Sequence, residues 1–112
     1  MEKVAVVTGT SSGIGFETAL ALAREGYYTY ATMRNITYGN KLKELASKEN
    51  LKISVLELDV DDEISVKNAI RKILDQKQRI DILVNNAGWG LWGCVEDVSV
   101  DEFKAQFDTN FF

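Results

Sequence analysis

The chain has 112 residues, 46% hydrophobic and 27% charged, with a net charge of −4. That is enough for one small packed core, and it argues against disorder and against a nucleic-acid or anionic-membrane partner. It has no His, one Cys and no Pro, which excludes Ser-His and Cys-His dyads, His-ligated metals, an intrachain disulfide and a multi-Cys zinc site, so no metal is expected.

Taken in order, the chain alternates strand and helix. Met1 to Val7 lacks the basic lead and long apolar run of a signal peptide, and no apolar run approaches the roughly 18 residues of a membrane span; a cytoplasmic location is expected. Lys3 to Thr8 is a nearly continuous Val-rich run, the pattern of a strand buried on both faces. Gly9 to Gly13 reads as a loop. From Ile14 onward Phe16, Ala19, Leu20 and Ala23 share one helix face, and Gly26 can close that helix. Tyr27 to Thr32 is a second strand and Met33 to Thr37 a loop. Tyr38, Leu42, Leu45, Ala46 and Glu49 outline a second helix. Ile53 to Leu58 is a third strand, followed by Asp59 and Val60. Asp61 is the expected N-cap of a third helix with Val66, Ala69, Ile70, Ile73 and Leu74 on its buried face. Ile80 to Val84 is a fourth strand, Asn85 to Val98 a Gly-rich loop, and Ser99 with Glu102 a capping box for a last helix carrying Phe103, Phe107 and Phe111. Strands alternating with helices predict an α/β fold with a parallel sheet and right-handed crossovers.

Each unusual residue follows the carboxyl end of a strand: Gly9 the first, Arg34 the second, Asp59 the third, Asn85 the fourth. In open parallel sheets that rim is where ligands bind. In Thr8-Gly9-Thr10-Ser11-Ser12-Gly13-Ile14-Gly15, Gly9 allows a tight turn, Gly13 lets a phosphate approach the backbone and Gly15 lets the helix pack near the sheet, with free N–H groups at the helix start. The spacing is neither G-x-G-x-x-G nor the Walker pattern.

T-G-x-x-x-G-I-G after the first strand, Asp59 after the third, Asn85-Asn86-Ala87-Gly88 after the fourth and Phe107-Asp108-Thr109-Asn110-Phe111 near the end resemble the classical short-chain dehydrogenases/reductases. The resemblance implies a Rossmann-type three-layer αβα fold with strand order 3-2-1-4, and hydride transfer between a carbinol and a carbonyl. It implies residues 1–112 as a single NAD(P)-binding domain, incomplete at its C-terminus. By position, Thr8, Gly9, Ser11, Ser12, Gly13, Ile14 and Gly15 would form the pyrophosphate side. Asp59 and Val60 would lie by the adenine, and Asn86, Ala87 and Gly88 by the adenosine. Asn110 would be the catalytic amide that orders a water for proton relay. Its place on the apolar Phe103/Phe107 face also predicts a hydrogen-bonding task, either this one or an amide satisfied by neighbouring backbone.

A ribose 2′-OH is usually held by a carboxylate at the end of the second strand and a 2′-phosphate by a cation. The stretch Tyr30-Ala31-Thr32-Met33-Arg34-Asn35 has Arg34 and no carboxylate, so NADP(H) is expected over NAD(H). It also resembles the steroid- and retinol-type members of the family. Trp89, Leu91 and Trp92 either wall a cleft for an apolar carbonyl or alcohol substrate or pack as ordinary core. The family's catalytic Ser and Tyr-x-x-x-Lys would lie beyond Asn110, and no Tyr here is followed at i+4 by Lys. The expected reading is the cofactor-binding half of an oxidoreductase, inactive by itself; a dinucleotide-binding or redox-sensing module without chemistry is the alternative. The apolar fourth strand, at the sheet's edge, predicts a homo-oligomer or an ordered part of a longer chain.

Overall fold

The computed structural model describes residues 2–86. Within them β1 (Val4–Val7), α1 (Gly13–Arg24), β2 (Tyr28–Met33), α2 (Asn40–Glu49), β3 (Ile53–Glu57), α3 (Glu63–Lys77) and β4 (Ile82–Val84) follow one another, with a one-turn 3-10 helix, Ile36–Gly39, leading into α2. The strands form one parallel sheet in the order β3-β2-β1-β4, as expected. Val6 of β1 lies between Tyr30 of β2 and Leu83 of β4.

The Val-rich β1 is fully buried because helices cover both of its faces. Side chains alternate along the strand. Val4 and Val6 join Tyr30, Leu83 and the Val66, Ile70 and Ile73 face of α3. Val7 turns the other way, to Ala31, Ala19 and Leu20 of α1 and Leu42 of α2. The result is the three-layer Rossmann-type arrangement, with α1 and α2 on one side of the sheet and α3 on the other. Ile70 and Ile73 are wholly buried, and each contributes about 1.5–3 kcal/mol by leaving water.

Four details differ from the sequence reading. The N-cap of α3 is Asp62, not Asp61. The Asp62 carboxylate accepts the Ile64 and Ser65 N–H groups at 3.0 and 3.3 Å, whereas the Asp61 N–H is held by Asp59 Oδ1 at 3.0 Å. Tyr38 belongs to the 3-10 turn Ile36–Gly39, which Asn35 caps by accepting the Thr37 N–H, so it lies ahead of α2 and is 68% exposed. On α1 the buried set is Gly15, Ala19, Leu20 and Ala23, with Phe16 only partly buried. The fourth strand starts at Ile82 rather than Ile80. Asp81 replaces a backbone acceptor there: its Oδ2 takes the Val4 N–H at 2.7 Å while its own N–H donates to the Val4 carbonyl at 2.8 Å. β4 pairs with β1 on one side; among the described residues no strand lies on its other side.

No helix among the described residues is long and apolar enough to cross a membrane.

Candidate functional site

The strands' carboxyl ends are held in register by threonine hydroxyls. Thr8, Thr10 and Thr32 are fully buried, so each hydroxyl needs a partner. Thr32 Oγ1 donates to the Val7 carbonyl at 3.0 Å, and the Thr10 N–H and Oγ1 both donate to the Thr32 carbonyl at 3.1 Å, joining the ends of β1 and β2. Thr8 joins β1 to β4: its N–H donates to the Val84 carbonyl at 3.0 Å and its Oγ1 accepts the Asn86 N–H at 2.9 Å. Thr10 and Thr32 are functional supports that the sequence reading missed. A buried hydroxyl without a hydrogen bond would be costly, but nothing along the hydroxyl-rich stretches Thr8 to Ser12 and Tyr28 to Thr32 singles these two out in the sequence.

The glycine loop leaves β1 through Gly9, whose φ is 65°. Gly13 opens α1 with the same φ, and a Cβ added there would meet nothing within 4 Å. Gly15 is the reverse case. A Cβ there would stand 2.1 Å from the Gly9 carbonyl oxygen and 2.8 Å from Asn86 Nδ2. Asn86 Nδ2 also donates to that Gly9 carbonyl at 3.2 Å. Three chain segments thus meet over Gly15, and only a hydrogen fits between them. Ser12 is the N-cap of α1 in extended conformation, its side chain makes no cap hydrogen bond, and the first turn holds no acid. The positive end of the α1 dipole is therefore left without a side-chain acceptor, beneath the open space over Gly13. Ile14, next to it, is 77% exposed.

Beside this loop lies a cleft of about 1140 Å³ along the ends of β2 and β3, which brings together Gly9, Ser11, Arg34, Asp59 and Val60. Thr8, Ser12, Gly13, Ile14, Gly15 and Asn86 stand around the glycine loop outside the cleft lining. Ala87, Gly88 and Asn110 lie outside the described residues, as do Trp89, Leu91 and Trp92. Arg34 Nε is 3.8 Å from Asp59 Oδ2, an ion pair too long for a hydrogen bond, with side-chain exposures of 77% and 33%. Asp59 is the better anchored member, since its Oδ1 accepts the Asp61 N–H and its own N–H donates to Ser65 Oγ, both at 3.0 Å. Glu57 also lines the cleft, paired in register with Met33 at the end of β2. A carboxylate therefore does stand near the end of β2, delivered by the neighbouring strand, which a reading along β2 alone could not find.

These features suit a dinucleotide: an uncapped helix start with space over a left-handed glycine for a phosphate, and an adjoining cleft with a cation for the adenosine end. The short chain dehydrogenase family model matches residues 3–112. The chain is similar to a probable short-chain type dehydrogenase/reductase of Helicobacter pylori, at 38% identity over 109 residues, 97% of this chain and 38% of that protein. It is similar to retinol dehydrogenase 8 of Bos taurus, at 41% identity over 115 residues, 98% of this chain and 36% of that protein. Among solved structures, menthone neomenthol reductase from Mentha piperita matches with a TM-score of 0.70 and 36% identity, over 80% of this chain and 32% of that one. The chain thus spans well under half the length of these relatives. It belongs to the short-chain dehydrogenase family, a family of oxidoreductases that bind a nicotinamide dinucleotide.

Proposed function

We propose that this chain is the cofactor-binding portion of an NADP(H)-dependent oxidoreductase that interconverts an apolar alcohol and its carbonyl compound. The observation that carries the reading is the meeting of the glycine loop, Arg34 and Asp59 at one rim of the sheet. The family match favours this over a module without chemistry. Retinol and menthone, in the names of two relatives, support an apolar alcohol or carbonyl substrate.

In this reading the bound dinucleotide supplies or accepts the hydride. The chain's own residues bind and orient. The N–H groups at the start of α1, with Ser11, Ser12, Gly13 and Ile14, would hold the pyrophosphate. Thr8 and Asn86 keep the loop at its height by holding β4 and the Gly9 carbonyl. Arg34 would hold the 2′-phosphate through charge-assisted hydrogen bonding. Asp59 and Val60 would serve the adenine, and Asn86, with Ala87 and Gly88 by the family resemblance, the adenosine. Asn110, by the family resemblance, would order a water for proton relay. The tyrosine and lysine that complete the family's proton transfer have no counterpart in these 112 residues, since none of Tyr27, Tyr28, Tyr30 and Tyr38 is followed at i+4 by Lys. The chain by itself therefore binds cofactor without turning over substrate.

Calorimetric titration with NADP⁺ and NAD⁺, on the wild type and on Arg34→Ala, tests this. Arg34 should favour NADP⁺ by about ten- to hundredfold, and Arg34→Ala should remove that margin while leaving NAD⁺ binding unchanged. Equal affinities for the two cofactors in the wild type would refute the NADP(H) reading, and hydride transfer by the isolated chain would refute the division of labour.

A further inference from the structure

Arg34 is shared between an acid already in the cleft and the ligand it would bind. Its ion pair among the described residues is with Asp59, at 3.8 Å. The two members are unequally fixed. Asp59 is tied on both sides, by the Asp61 N–H on Oδ1 and by its own N–H to Ser65 Oγ. That leaves Oδ2 toward the guanidinium, whose side chain is 77% exposed, so the arginine is the member that can swing. The surroundings sharpen the contest. Glu57, Asp59, Asp61 and Asp62 line the cleft against two cations, Arg34 and Lys72. A 2′-phosphate arriving there carries nearly two negative charges and meets an acid-rich wall with its cation already claimed.

We propose that Asp59 sets the cofactor discrimination of this site by competing with the 2′-phosphate for the Arg34 guanidinium. The inference rests on the NADP(H) reading above and deepens it. NADP(H) binding requires the Arg34–Asp59 pair to loosen, whereas NAD(H) binding leaves it intact. Asp59 therefore holds the NADP(H) preference below the level Arg34 alone would give. Any contact of Asp59 with the adenine is common to both cofactors and cancels in their ratio.

The experiment measures the ratio of NADP⁺ to NAD⁺ affinity by calorimetry at fixed ionic strength, on the full chain, for wild type, Asp59→Asn, Arg34→Ala and the double variant. Asparagine keeps Oδ1 as acceptor for the Asp61 N–H and removes only the charge; Asp59→Ser, with a shorter acceptor, serves as the second variant if Asp59→Asn folds poorly. A partly exposed ion pair is worth little, so the ratio should rise about two- to fivefold in Asp59→Asn and Asp59→Ser, and stay unchanged when Asp59→Asn is added to Arg34→Ala. A ratio that rises equally with and without Arg34 overturns the proposal, because the carboxylate would then act directly on the phosphate. An unchanged ratio in both Asp59 variants overturns it too, while a collapse of the ratio in Arg34→Ala would leave the NADP(H) reading standing. If Arg34→Ala leaves the ratio as it was, the reading and the inference fall together.

Discussion

The two ends of the sheet handle polar groups in opposite ways. At the amino ends of the strands, charges and hydroxyls are matched to one another across long sequence separations. Glu2 binds Lys52 Nζ at 2.6 Å and Lys77 Nζ at 3.3 Å, joining the segments before β1 and β3 to the end of α3. Lys77 also stands 3.6 Å from the centre of the Tyr28 ring, a cation–π arrangement. The Tyr28 hydroxyl shares a hydrogen bond with Ser54 Oγ, and Tyr30 donates to Gln76 Oε1, each at 2.7 Å. Burial, with Tyr28 and Glu2 nearby, pushes the Tyr30 phenol up to about 12. At the carboxyl ends the hydroxyls hold backbone, the glycines hold shape, and the Arg34–Asp59 pair is a loose one beside open space. Both ends have the same strands behind them. The amino end is finished as structure, and the carboxyl end is left able to accept something further.

Glycine substitutions should break this contrast most visibly. Gly15→Ala places a Cβ 2.1 Å from a backbone oxygen that cannot step aside without moving the whole loop. Overpacking of this kind costs about 3 kcal/mol, beyond what the better helix propensity of alanine returns, and it should displace the Gly9 carbonyl and Asn86 together. Gly13→Ala meets no atom within 4 Å; its cost is only that of an L side chain at positive φ, about 1–2 kcal/mol. Denaturant unfolding of both variants checks the order. A Gly15→Ala protein as stable as Gly13→Ala would mean that the close approach at the carboxyl end is slack.

Asp81 measures the amino end. Burial works to raise its carboxyl pKa, but hydrogen bonds from Arg79 and the Val4 N–H, with the charges of Arg79 and Lys3, outweigh it and hold the group below its ordinary 3.8. A carboxylate depressed on folding stabilises the fold above its unfolded pKa and loses that contribution as pH falls through the lower folded value. Stability should therefore drop below about pH 4 in the wild type. Asp81→Ala should be weaker at neutral pH by about 1–3 kcal/mol, for the Val4 N–H left without its acceptor, and should show a flatter acid limb. Thermal unfolding across pH 3 to 7 decides it; parallel pH curves for the two proteins would remove Asp81 as the latch between β1 and β4.

The same contrast explains what could be read from the amino-acid sequence. The buried β1, the Val66–Leu74 face of α3 and the parallel sheet follow from local periodicity and the alternation of elements, which a linear reading sees directly, whereas the strand order came with the resemblance to a family. The glycine loop was legible because its conformational demands fall within eight consecutive residues, and the resemblance to a family supplied the rest. Features joining distant segments were hidden. Nothing near Glu2 announces Lys52 or Lys77, and the place of Glu57 beside Met33 exists only through the β2–β3 register. The Asp61-for-Asp62 cap error has a local cause: two aspartates stand side by side before the helix, the Asp62 carboxylate accepts the Ile64 and Ser65 N–H groups, and sequence alone does not say which carboxylate faces the helix.

The smallest effect on stability should come from the residue given the largest part in cofactor choice. Arg34 is 77% exposed, and its pair with Asp59 at 3.8 Å is solvated and lacks hydrogen-bond geometry. Such pairs contribute between nothing and about 1 kcal/mol, so Arg34→Ala should unfold within about 0.5 kcal/mol of the wild type. Asp59 keeps its bonds to Asp61 and Ser65 in that variant, so the loop after β3 should hold its shape. Equilibrium unfolding without ligand gives the comparison, repeated at high salt, where a screened surface pair should make the two proteins indistinguishable. A loss above about 1 kcal/mol would exceed what an exposed pair supplies. Arg34 would then be part of the framework, like Lys77 at the other end of the sheet, and a guanidinium bound into the fold could not be free to take a phosphate.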